Sequence, residues 1–386
     1  MSDTDKVMRL REELPATHPV AYLNTGSVGP LPKRAVVEMT AWIERELREG
    51  RIGAAAWQAG GEVRARARAA VASVLGARVD EVALTHHTTE GLNVVIWGLD
   101  WRPGDEIVTT NLEHPAVFVP ALTAARRFGA KVITVDLGLG EGDAISAIAD
   151  ALTPRTRLVA LSHVAYCTGA LLPVAEIAKV AHRHGALLAV DGAQSAGATA
   201  VDVAALEADF YAVPGQKWLC GPEDTGALIV RRERLEALAQ TFVGYSSMAR
   251  QELGAPLVPH PDARRFEVGS RHAPSLACQA ASVEWFRDEV GVDWAQARID
   301  ELMALARQAL AAIPGVTILT PSRCAGLLCF TVAGVDPDVL VPRFAAEGVV
   351  IRSIKQPRCL RASLGFFNTE DDVRRLAEAT RRQASS

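Results

Sequence analysis

Between residues 82 and 232 the chain alternates short apolar runs with segments of helical length. Seven runs have the length and composition of buried strands: VALTHH (82–87), EIVTTN (106–111), KVITVDL (131–137), RLVALSHV (157–164), ALLAVDG (186–192), FYAVPG (210–215) and GALIVRR (226–232). The segments that separate them include three helical patterns: GLNVVIWGL (91–99), AVFVPALTAARRFG (116–129) and VAEIAKVAHRHG (174–185). Such alternation indicates βαβ units. We therefore predict an α/β fold with a mostly parallel seven-stranded sheet and helices on both faces.

The pattern changes after about residue 255, where a proline-rich passage begins. It is followed by these predicted elements: a long helical stretch (273–312), TILTP (317–321), LLCFTVAG (327–334), a helix (336–347), VVIRSI (349–354), CLRASLGF (359–366) and a terminal helix from about 369. This order predicts a smaller C-terminal α/β domain. We expect a large domain over residues 20–255 and a small one over 256–386, with residues 1–19 packed on the small domain.

Composition excludes several classes of function. The 386 residues are 49% hydrophobic and 22% charged, and the net charge of −4 comes with scattered basic residues, so a nucleic-acid-binding surface is not expected. No apolar stretch reaches the roughly 20 residues that span a bilayer, and the polar first residues do not resemble a signal peptide. The six cysteines show neither a CxxC pair nor zinc spacing. We expect reduced thiols in a cytoplasmic protein without a metal site.

Lys217 and Asp191 follow two of the predicted strands. Lys217 is one of only six lysines and stands just beyond the run at 210–215, whereas Asp191 ends the run LLAVD 26 residues earlier. Pyridoxal-phosphate chemistry requires such a pair, because a lysine amine carries the cofactor as a Schiff base and an acid keeps the pyridine nitrogen protonated. On its own the pair is also consistent with a polar loop and an ordinary strand end.

Other polar residues stand near predicted strand ends, where α/β proteins bind ligands. Thr88 and Thr89 open a helix, and hydroxyls at a helix N-terminus suit a phosphate, although threonine is also a common helix cap. His114 could stack on a ring, and Gln194 stands three residues after Asp191. Arg361 has the planar fork that binds carboxylates. Each residue alone has a structural alternative.

Taken in order, the motifs resemble one family. The segments TTEG, EHP, SHVAYCTGALLPV, AVDGAQSAG, GQKWLCGP, RRFEVGS and LRASLGFFNTEDDVRRL are similar to those of the class-V aminotransferases, pyridoxal-phosphate enzymes of fold type I. The family includes cysteine desulfurases, selenocysteine lyases, isopenicillin-N-epimerase-like proteins and cysteine-sulfoxide lyases. The resemblance extends from about residue 20 to 380.

The resemblance implies roles for the residues around the ring of the cofactor. Lys217 would form the Schiff base and, once released by substrate, move the proton at Cα. Asp191 would pair with the pyridine nitrogen and Gln194 would hydrogen-bond the ring hydroxyl. His114 would stack on the ring and assist proton transfer.

It also implies contacts to the phosphate, the substrate and a partner subunit. Thr88 and Thr89 would hold the phosphate together with Ser270 of the partner subunit in a homodimer whose active site lies at the interface. Arg361 would bind the carboxylate of a small amino-acid substrate. The remaining binding residues implied are Gln216 for the cofactor, and Tyr166 and Asn24 for the substrate.

Three departures from the family pattern bear on the reaction. Gln216 and Pro214 replace the histidine and serine found in many desulfurases before the lysine. Tyr166 stands where an asparagine is usual. Cys359 lies only two residues before Arg361 with almost no loop, so we expect it to be a buried strand residue and not the sulfur-accepting cysteine of desulfurases.

We expect C–S bond cleavage of a cysteine-derived substrate by β-elimination, with transamination or epimerisation as alternatives, because all three follow from removal of the Cα proton. A non-catalytic protein with this fold is a further alternative. A dinucleotide enzyme is disfavoured because no GxGxxG opens the first βα turn. The sequence leaves open whether Arg271 clamps a second anion or is a surface residue.

Overall fold

The computed structural model describes residues 3–384 and contains the predicted central sheet. Its strands are β1 (Val82–Thr85), β2 (Glu106–Thr110), β3 (Lys131–Val135), β4 (Thr156–Ser162), β5 (Leu187–Asp191), β6 (Phe210–Pro214) and β7 (Gly226–Val230). The order across the sheet is β1-β7-β6-β5-β4-β2-β3. Strands β2 to β6 pair in parallel, and β7 is antiparallel to both of its neighbours. The α/β prediction is confirmed.

Helices cover both faces of this sheet and continue into the C-terminal part. They are α1 (Asp3–Glu12), α2 (Lys33–Glu49), α3 (Ala54–Val74), α4 (Thr88–Gly98), α5 (Pro115–Phe128), α6 (Ala144–Ala151), α7 (Val174–Arg183), α8 (Ala273–Trp285), α9 (Val292–Ala311), α10 (Pro337–Ala346) and α11 (Glu370–Ala384). None of the helices within residues 3–384 combines the length and the apolar character needed to cross a membrane.

Short 3₁₀ helices and one short pair of strands connect these elements. The 3₁₀ turns are Pro15–Thr17, Val79–Glu81, Arg232–Ala237, Tyr245–Ser247 and Ala263–Phe266, and Met248–Arg250 pairs with Val258–Pro259. The long helical stretch predicted over 273–312 is present and is interrupted once. A π-helical turn, Phe286–Val290, ends at Gly291 with φ of 83°, a conformation that favours glycine, and separates α8 from α9.

A second sheet lies in the C-terminal part. Its strands are β8 (Val316–Ile318), β9 (Leu327–Val332), β10 (Arg352–Ile354) and β11 (Cys359–Ser363), arranged antiparallel in the order β8-β9-β11-β10. In this register Arg352 lies directly opposite Arg361. The predicted strand at 349–354 is split, because Val349–Val350 pairs in parallel with Ala21–Tyr22 near the N-terminus.

The N-terminal helix is also joined to the C-terminal part. Lys6 donates to the carbonyl of Val290 at 2.7 Å, and Arg11 donates to the carbonyl of Phe367 at 3.0 Å and pairs with Asp372 at 3.2 Å. Residues 1 and 2 lie outside the described residues, and the packing of residues 1–19 on a small domain stays a prediction. The domain boundary at residue 255 stays a prediction.

The parallel strands explain why polar side chains collect at one edge. Because β2, β4, β5 and β6 run in the same direction, their carboxyl ends meet at the same edge, where ligands of such sheets bind. The strands themselves are almost entirely buried, since helices cover both faces. The residues that follow the strands are therefore the ones exposed to a ligand.

Candidate active site

A cavity of about 350 Å³ opens at the carboxyl ends of the parallel strands. Nine of the predicted site residues line it: Thr88, Thr89, His114, Tyr166, Asp191, Gln194, Gln216, Lys217 and Arg361. The other lining residues are Gly26, Ser27, His87, Ala116, Ala193, Pro214 and Arg352. A cavity of this size with converging polar groups has the properties of a small-molecule site.

Asp191, the last residue of β5, places a buried carboxylate at the base of the cavity. It is 4% exposed, and one oxygen accepts a hydrogen bond from the amide of Ala193 at 2.8 Å. Burial raises the pKa of this carboxyl group, and the nearby charge of Lys217 opposes that rise. Asp191 has no ion pair within residues 3–384, so a cationic group bound in the cavity would offset the cost of burying its charge.

Lys217 lies in the turn that follows β6. Burial lowers the pKa of its amine to about 8; Asp191 opposes this effect, and the charges of Arg361 and Arg352 add to it. An amine with this pKa is a far better nucleophile near neutral pH than an ordinary lysine, because a larger fraction of it is unprotonated.

Gln194 is held in one orientation by two neighbours. Its amide nitrogen donates to the carbonyl of Gly26 at 2.9 Å, and its amide oxygen accepts from the indole of Trp218 at 3.0 Å. The indole is a donor only, which fixes which end of the amide is the oxygen. A Cβ on Gly26 would lie 2.9 Å from that oxygen, so the close approach requires glycine at this position.

His114 is the N-cap of α5, with its Nδ1 accepting a hydrogen bond from the amide of Ala116 at 3.1 Å. An acceptor at Nδ1 places the ring hydrogen of the neutral imidazole on Nε2. Burial, together with the charges of Lys217, Arg352 and Arg361, lowers the pKa of His114 to about 4. The ring meets Tyr166 edge-on, with centroids 4.9 Å apart. His114 is therefore uncharged at neutral pH.

The part of the lining formed by the start of helix α4 has the features of an anion site. Helix α4 begins at Thr88 and points its N-terminus, with its partial positive charge, at the cavity. The hydroxyl of Thr88 and the amide oxygen of Gln216 are buried without a hydrogen-bond partner in the described part of the chain. His87 caps the helix by accepting from the amide of Glu90 at 3.1 Å. Sequence reasoning missed His87, although its place before TTEG is that of an N-cap.

Two arginines, Arg361 and Arg352, also line the cavity. Arg361 is 1% exposed and donates to the carbonyl of Tyr166 at 2.9 Å and to the hydroxyl of Ser27 at 3.2 Å. Arg352 is exposed and donates to the same hydroxyl at 3.2 Å. Sequence reasoning missed Arg352, because its proximity to Ser27 and Arg361 depends on the pairing of distant segments.

Two predicted residues do not line the cavity. The side chain of Asn24 accepts a hydrogen bond from Ser27 at 2.8 Å, so it stands behind a lining residue and does not reach the cavity itself. Ser270 is exposed and hydrogen-bonded to the hydroxyl of Tyr245. Its predicted phosphate contact belongs to a partner subunit and stays a prediction, as does substrate binding by Asn24.

Arg271 has a structural position. Its guanidinium donates to the carbonyl oxygens of Leu84 at 2.8 Å and Thr85 at 2.7 Å, at the end of β1. It is absent from the lining of the cavity, so the alternative of a second anion clamp at Arg271 finds no support. Within residues 3–384 there is also no group of three or more potential metal ligands.

Residues 28–376 match the family model described as aminotransferase class-V. The chain belongs to the class-V aminotransferase family. Since this match covers most of the chain, the resemblance inferred from the motifs is confirmed. Members of the class-V family are pyridoxal-phosphate enzymes, and this chain is one of them.

Relatives within the class-V family include enzymes of sulfur chemistry. Cysteine desulfurase CsdA of Escherichia coli is 31% identical over 394 residues, covering 97% of this chain and 96% of the relative. Isopenicillin N epimerase of Streptomyces clavuligerus is 32% identical over 385 residues, covering 93% and 94%. The solved structure of the cystine C-S lyase C-DES with its product cysteine persulfide has a TM-score of 0.92 and 32% identity, covering 95% of this chain and 99% of that one.

The cavity of this class-V chain fits pyridoxal phosphate, the cofactor linked covalently to glycine in another structure of C-DES. The partnerless buried hydroxyl of Thr88 at a helix N-terminus suits a phosphate. The buried carboxylate of Asp191, which lacks an ion pair within residues 3–384, suits a protonated ring nitrogen. The low pKa of Lys217 suits attack on an aldehyde.

Proposed function

We propose that the protein is a C–S lyase that uses pyridoxal phosphate to cleave a cysteine-derived amino acid by β-elimination. The reaction consumes an S-substituted cysteine and water and yields a thiol, pyruvate and ammonia. Two observations support the proposal: similarity to cysteine desulfurases and to a cystine C–S lyase, and the composition of the cavity wall. The composition of the cavity wall is the observation that favours a lyase over a desulfurase.

None of the six cysteines, all of which lie within the described residues, lines the cavity. Cys359 is the one nearest to Arg361 in sequence, and it is a 0% exposed residue of strand β11. A hydrogen bond from Cys329 lowers the pKa of Cys359, but a thiolate in this position has no path to a substrate sulfur. The sulfur therefore leaves with its own substituent and is not transferred to the protein.

The mechanism assigns each lining residue a task. Arg361 binds the α-carboxylate, because its guanidinium is buried and lacks an acidic partner within residues 3–384. Lys217 would hold the cofactor covalently, and its amine, once free, would take up the Cα proton. When bound, pyridoxal phosphate would supply the electron sink for the pair left at Cα. Lys217 or the solvent would protonate the thiolate that leaves Cβ.

Six further lining residues would hold the cofactor, three at the ring and three at the phosphate. Asp191 presents its carboxylate to the ring nitrogen, and the amide of Gln194 has a second hydrogen free for the ring oxygen. His114, uncharged at neutral pH, offers an aromatic face without adding to the positive charge of the site. The roles of Thr88, Thr89 and Gln216 at the phosphate are part of the same proposal.

The decisive experiment is product analysis with the cofactor-loaded protein and cystine, S-methylcysteine and alanine. A lyase releases pyruvate from the first two, with the cofactor remaining in its aldehyde form, and Lys217→Ala abolishes the release. Accumulation of the amine form of the cofactor without pyruvate would identify an aminotransferase. Inversion of the substrate without cleavage would identify an epimerase, the activity named for the relative in Streptomyces clavuligerus.

We further propose a homodimer in the cytoplasm. Exposed Ser270 is hydrogen-bonded to the exposed Tyr245, and Phe242 and Val243, which precede Tyr245 in the chain, are also exposed apolar side chains. Several large exposed apolar side chains in one segment are typical of an interface. Light scattering of the purified protein tests the dimer, and Ser270→Ala should weaken cofactor binding only if the hydroxyl reaches a phosphate across that interface.

A further inference from the structure

Tyr166 contacts two residues that line the cavity. Its backbone carbonyl accepts a hydrogen bond from Arg361 at 2.9 Å, and its ring meets that of His114 edge-on, with the centroids 4.9 Å apart and the planes at 88°. Arg361 would bind the α-carboxylate of the substrate, and His114 would stack on the cofactor ring. Tyr166 therefore borders the space that must hold Cα and Cβ of a bound amino acid.

The hydroxyl of Tyr166 has no hydrogen-bond partner within residues 3–384. The hydroxyls of the other three tyrosines have partners: Tyr22 donates to the carbonyl of Val28 at 2.9 Å, Tyr211 is bonded to His163 at 2.8 Å, and Tyr245 is bonded to Ser270. Because Tyr166 is half-buried and lines the cavity, its hydroxyl is available to a bound molecule.

Elimination from Cβ needs a proton donor near the sulfur. An ordinary thiol has a pKa of about 8.5, so an alkyl thiolate leaves faster near neutral pH when an acid protonates it. The amine of Lys217 is to take up the Cα proton, and the hydrogen of Ser27 is donated to Asn24 at 2.8 Å. His114 is uncharged, and the N–H of a neutral imidazole is a far weaker acid than a phenol. Of these groups, the phenol of Tyr166 is the one suited to protonate sulfur.

The surroundings of Tyr166 suit an acid that gives up a proton only during the reaction. The pKa of an ordinary phenol, about 10, lies close to that of a thiol. Burial raises the pKa of Tyr166, and the charges of Arg352 and Arg361 oppose that rise. The hydroxyl therefore carries its proton at neutral pH, and the same two cations would stabilise the phenolate that remains after donation.

We propose that Tyr166 is the general acid of C–S cleavage, in place of Lys217 or the solvent. This inference rests on the proposed C–S lyase function. The Cβ–S bond breaks with its electron pair remaining on sulfur, while the pair left at Cα forms a double bond to Cβ. The proton of the Tyr166 hydroxyl passes to that sulfur and yields the thiol. Water then returns a proton to the phenolate, so that Lys217 handles only the Cα proton.

The test uses two substrates of nearly equal shape, S-ethylcysteine and S-(2,2,2-trifluoroethyl)cysteine. The fluorines stabilise the leaving thiolate, so its departure depends much less on an acid. In the cofactor-loaded protein, Tyr166→Phe should lower kcat/KM for the ethyl compound about 100-fold, the range of general acid catalysis, and for the trifluoroethyl compound less than about fivefold. Tyr22→Phe, which also removes a phenol hydroxyl, is the matched control and should keep the wild-type ratio.

Alanine separates the two proton transfers, because it has a Cα proton and no leaving group. Exchange of that proton with deuterium from the solvent, followed by NMR, should proceed in Tyr166→Phe within about twofold of the wild-type rate. An intact exchange rate together with slow cleavage of S-ethylcysteine would locate the defect at the sulfur and show that the cofactor and the substrate are still correctly held.

Other outcomes overturn the inference. If Tyr166→Phe slows both substrates and the exchange of alanine by the same factor, Tyr166 only positions its neighbours. If it slows neither substrate, Lys217 or the solvent protonates the sulfur. If the wild type exchanges alanine but releases pyruvate from neither substrate, the lyase function itself fails, a result distinct from the first two. Should Tyr166→Phe fail to fold, a difluorinated tyrosine at position 166 keeps the shape with a more acidic phenol. The pH above which cleavage of S-ethylcysteine declines should then fall, and an unmoved pH profile would contradict the inference.

Discussion

The carboxylate of Glu113 accepts a hydrogen bond from the hydroxyl of Ser162 at 2.6 Å, and Ser162 lies directly opposite Asp191 in the pair β4–β5. The other carboxylate oxygen of Glu113 accepts from Thr110 at 2.6 Å. Glu113 therefore links two parts of the site. One is the turn that contains His114, and the other is the end of β4, which lies beside Asp191. Burial raises the pKa of Glu113 to about 7, although both hydroxyls oppose this rise and Asp191 adds to it.

Glu113→Gln should change how stability depends on pH. A carboxyl group with a raised pKa in the folded state contributes stability below its unfolded pKa of 4.5, and that contribution is lost as pH rises through about 7. At pH 8 the buried charge of Glu113 therefore lowers the free energy of unfolding of the wild type, by at most about 3 kcal/mol at 1.36 kcal/mol per pKa unit. The uncharged amide of the Glu113→Gln variant has no such effect. Denaturant unfolding of the cofactor-free proteins at pH 5 and 8 should show the variant gaining relative to wild type at the higher pH.

Glu106 provides the control for this prediction. It is also buried, but hydrogen bonds from Thr153, then the charge and hydrogen bonds of Arg155, lower its pKa. Its contribution is present throughout pH 5 to 8 and is lost only as pH falls further, so Glu106→Gln should lose stability equally at both pH values. An equal effect of Glu113→Gln at the two pH values would contradict the assigned role of the Glu113 charge.

Incorporation of the cofactor should report the low pKa of Lys217. Because only the unprotonated amine attacks the aldehyde, the rate should rise with pH and level off above about 8. Mixing the cofactor-free protein with pyridoxal phosphate between pH 6 and 10 and following absorbance measures this rate. Arg361→Gln should move the midpoint upwards, since it removes a neighbouring cation, and Asp191→Asn should move it downwards. A rate that still climbs at pH 10 would show an ordinary lysine.

Cys359→Ala should leave C–S cleavage intact. The thiol is buried in β11 and does not line the cavity, so we expect kcat/KM within about twofold of wild type, with a loss of stability of about 1 kcal/mol from the small void. Cys329→Ala is the matched control, because Cys329 is equally buried on the adjacent strand. Loss of turnover in the Cys359 variant alone, with folding retained, would restore a sulfur-accepting role for Cys359.

Arg361→Met should lower activity without lowering the stability of the fold. A buried cation without an acidic partner in the described chain is costly to fold, so its replacement by an apolar side chain should leave the free energy of unfolding unchanged or higher. The KM for amino-acid substrates should rise about 100-fold or more through loss of the carboxylate contact. Arg298→Met, which leaves Glu301 and Glu370 unpaired, should instead destabilise the fold. Comparable destabilisation in both variants would show that Arg361 is mainly structural.

Sequence patterns were sufficient to predict that residues at the ends of buried strands meet at one edge of the sheet. Lys217, Asp191 and His114 each come after an apolar run, and the direction of the strands brings such positions to one edge. Strand ends were less accurate: the first run was predicted to reach residue 87, but β1 ends at Thr85. His87 has left the strand because it caps helix α4, a local interaction that competes with strand pairing.

The arginine pair could not be predicted in the same way. Arg352 belongs to a strand of three residues, too short to show an alternating pattern. Its position opposite Arg361 follows from the register of β10 and β11, and the shared contact with Ser27 requires a segment more than 300 residues away in sequence. The role of Asn24 depends on the direction of one hydroxyl hydrogen, which no sequence pattern encodes.

The short segment from Asn24 to Gly29 is fastened at both ends. At its start, the amide of Leu23 donates to Val350 and that of Ser363 donates to Leu23; at its end, the amide of Gly29 donates to Gln216, next to Lys217. Because these backbone hydrogen bonds fix both of its ends, the segment sets the spacing between the turn that carries Lys217 and the strand that carries Arg361. A change in the length of this segment would therefore shift the reactive amine relative to the carboxylate-binding guanidinium.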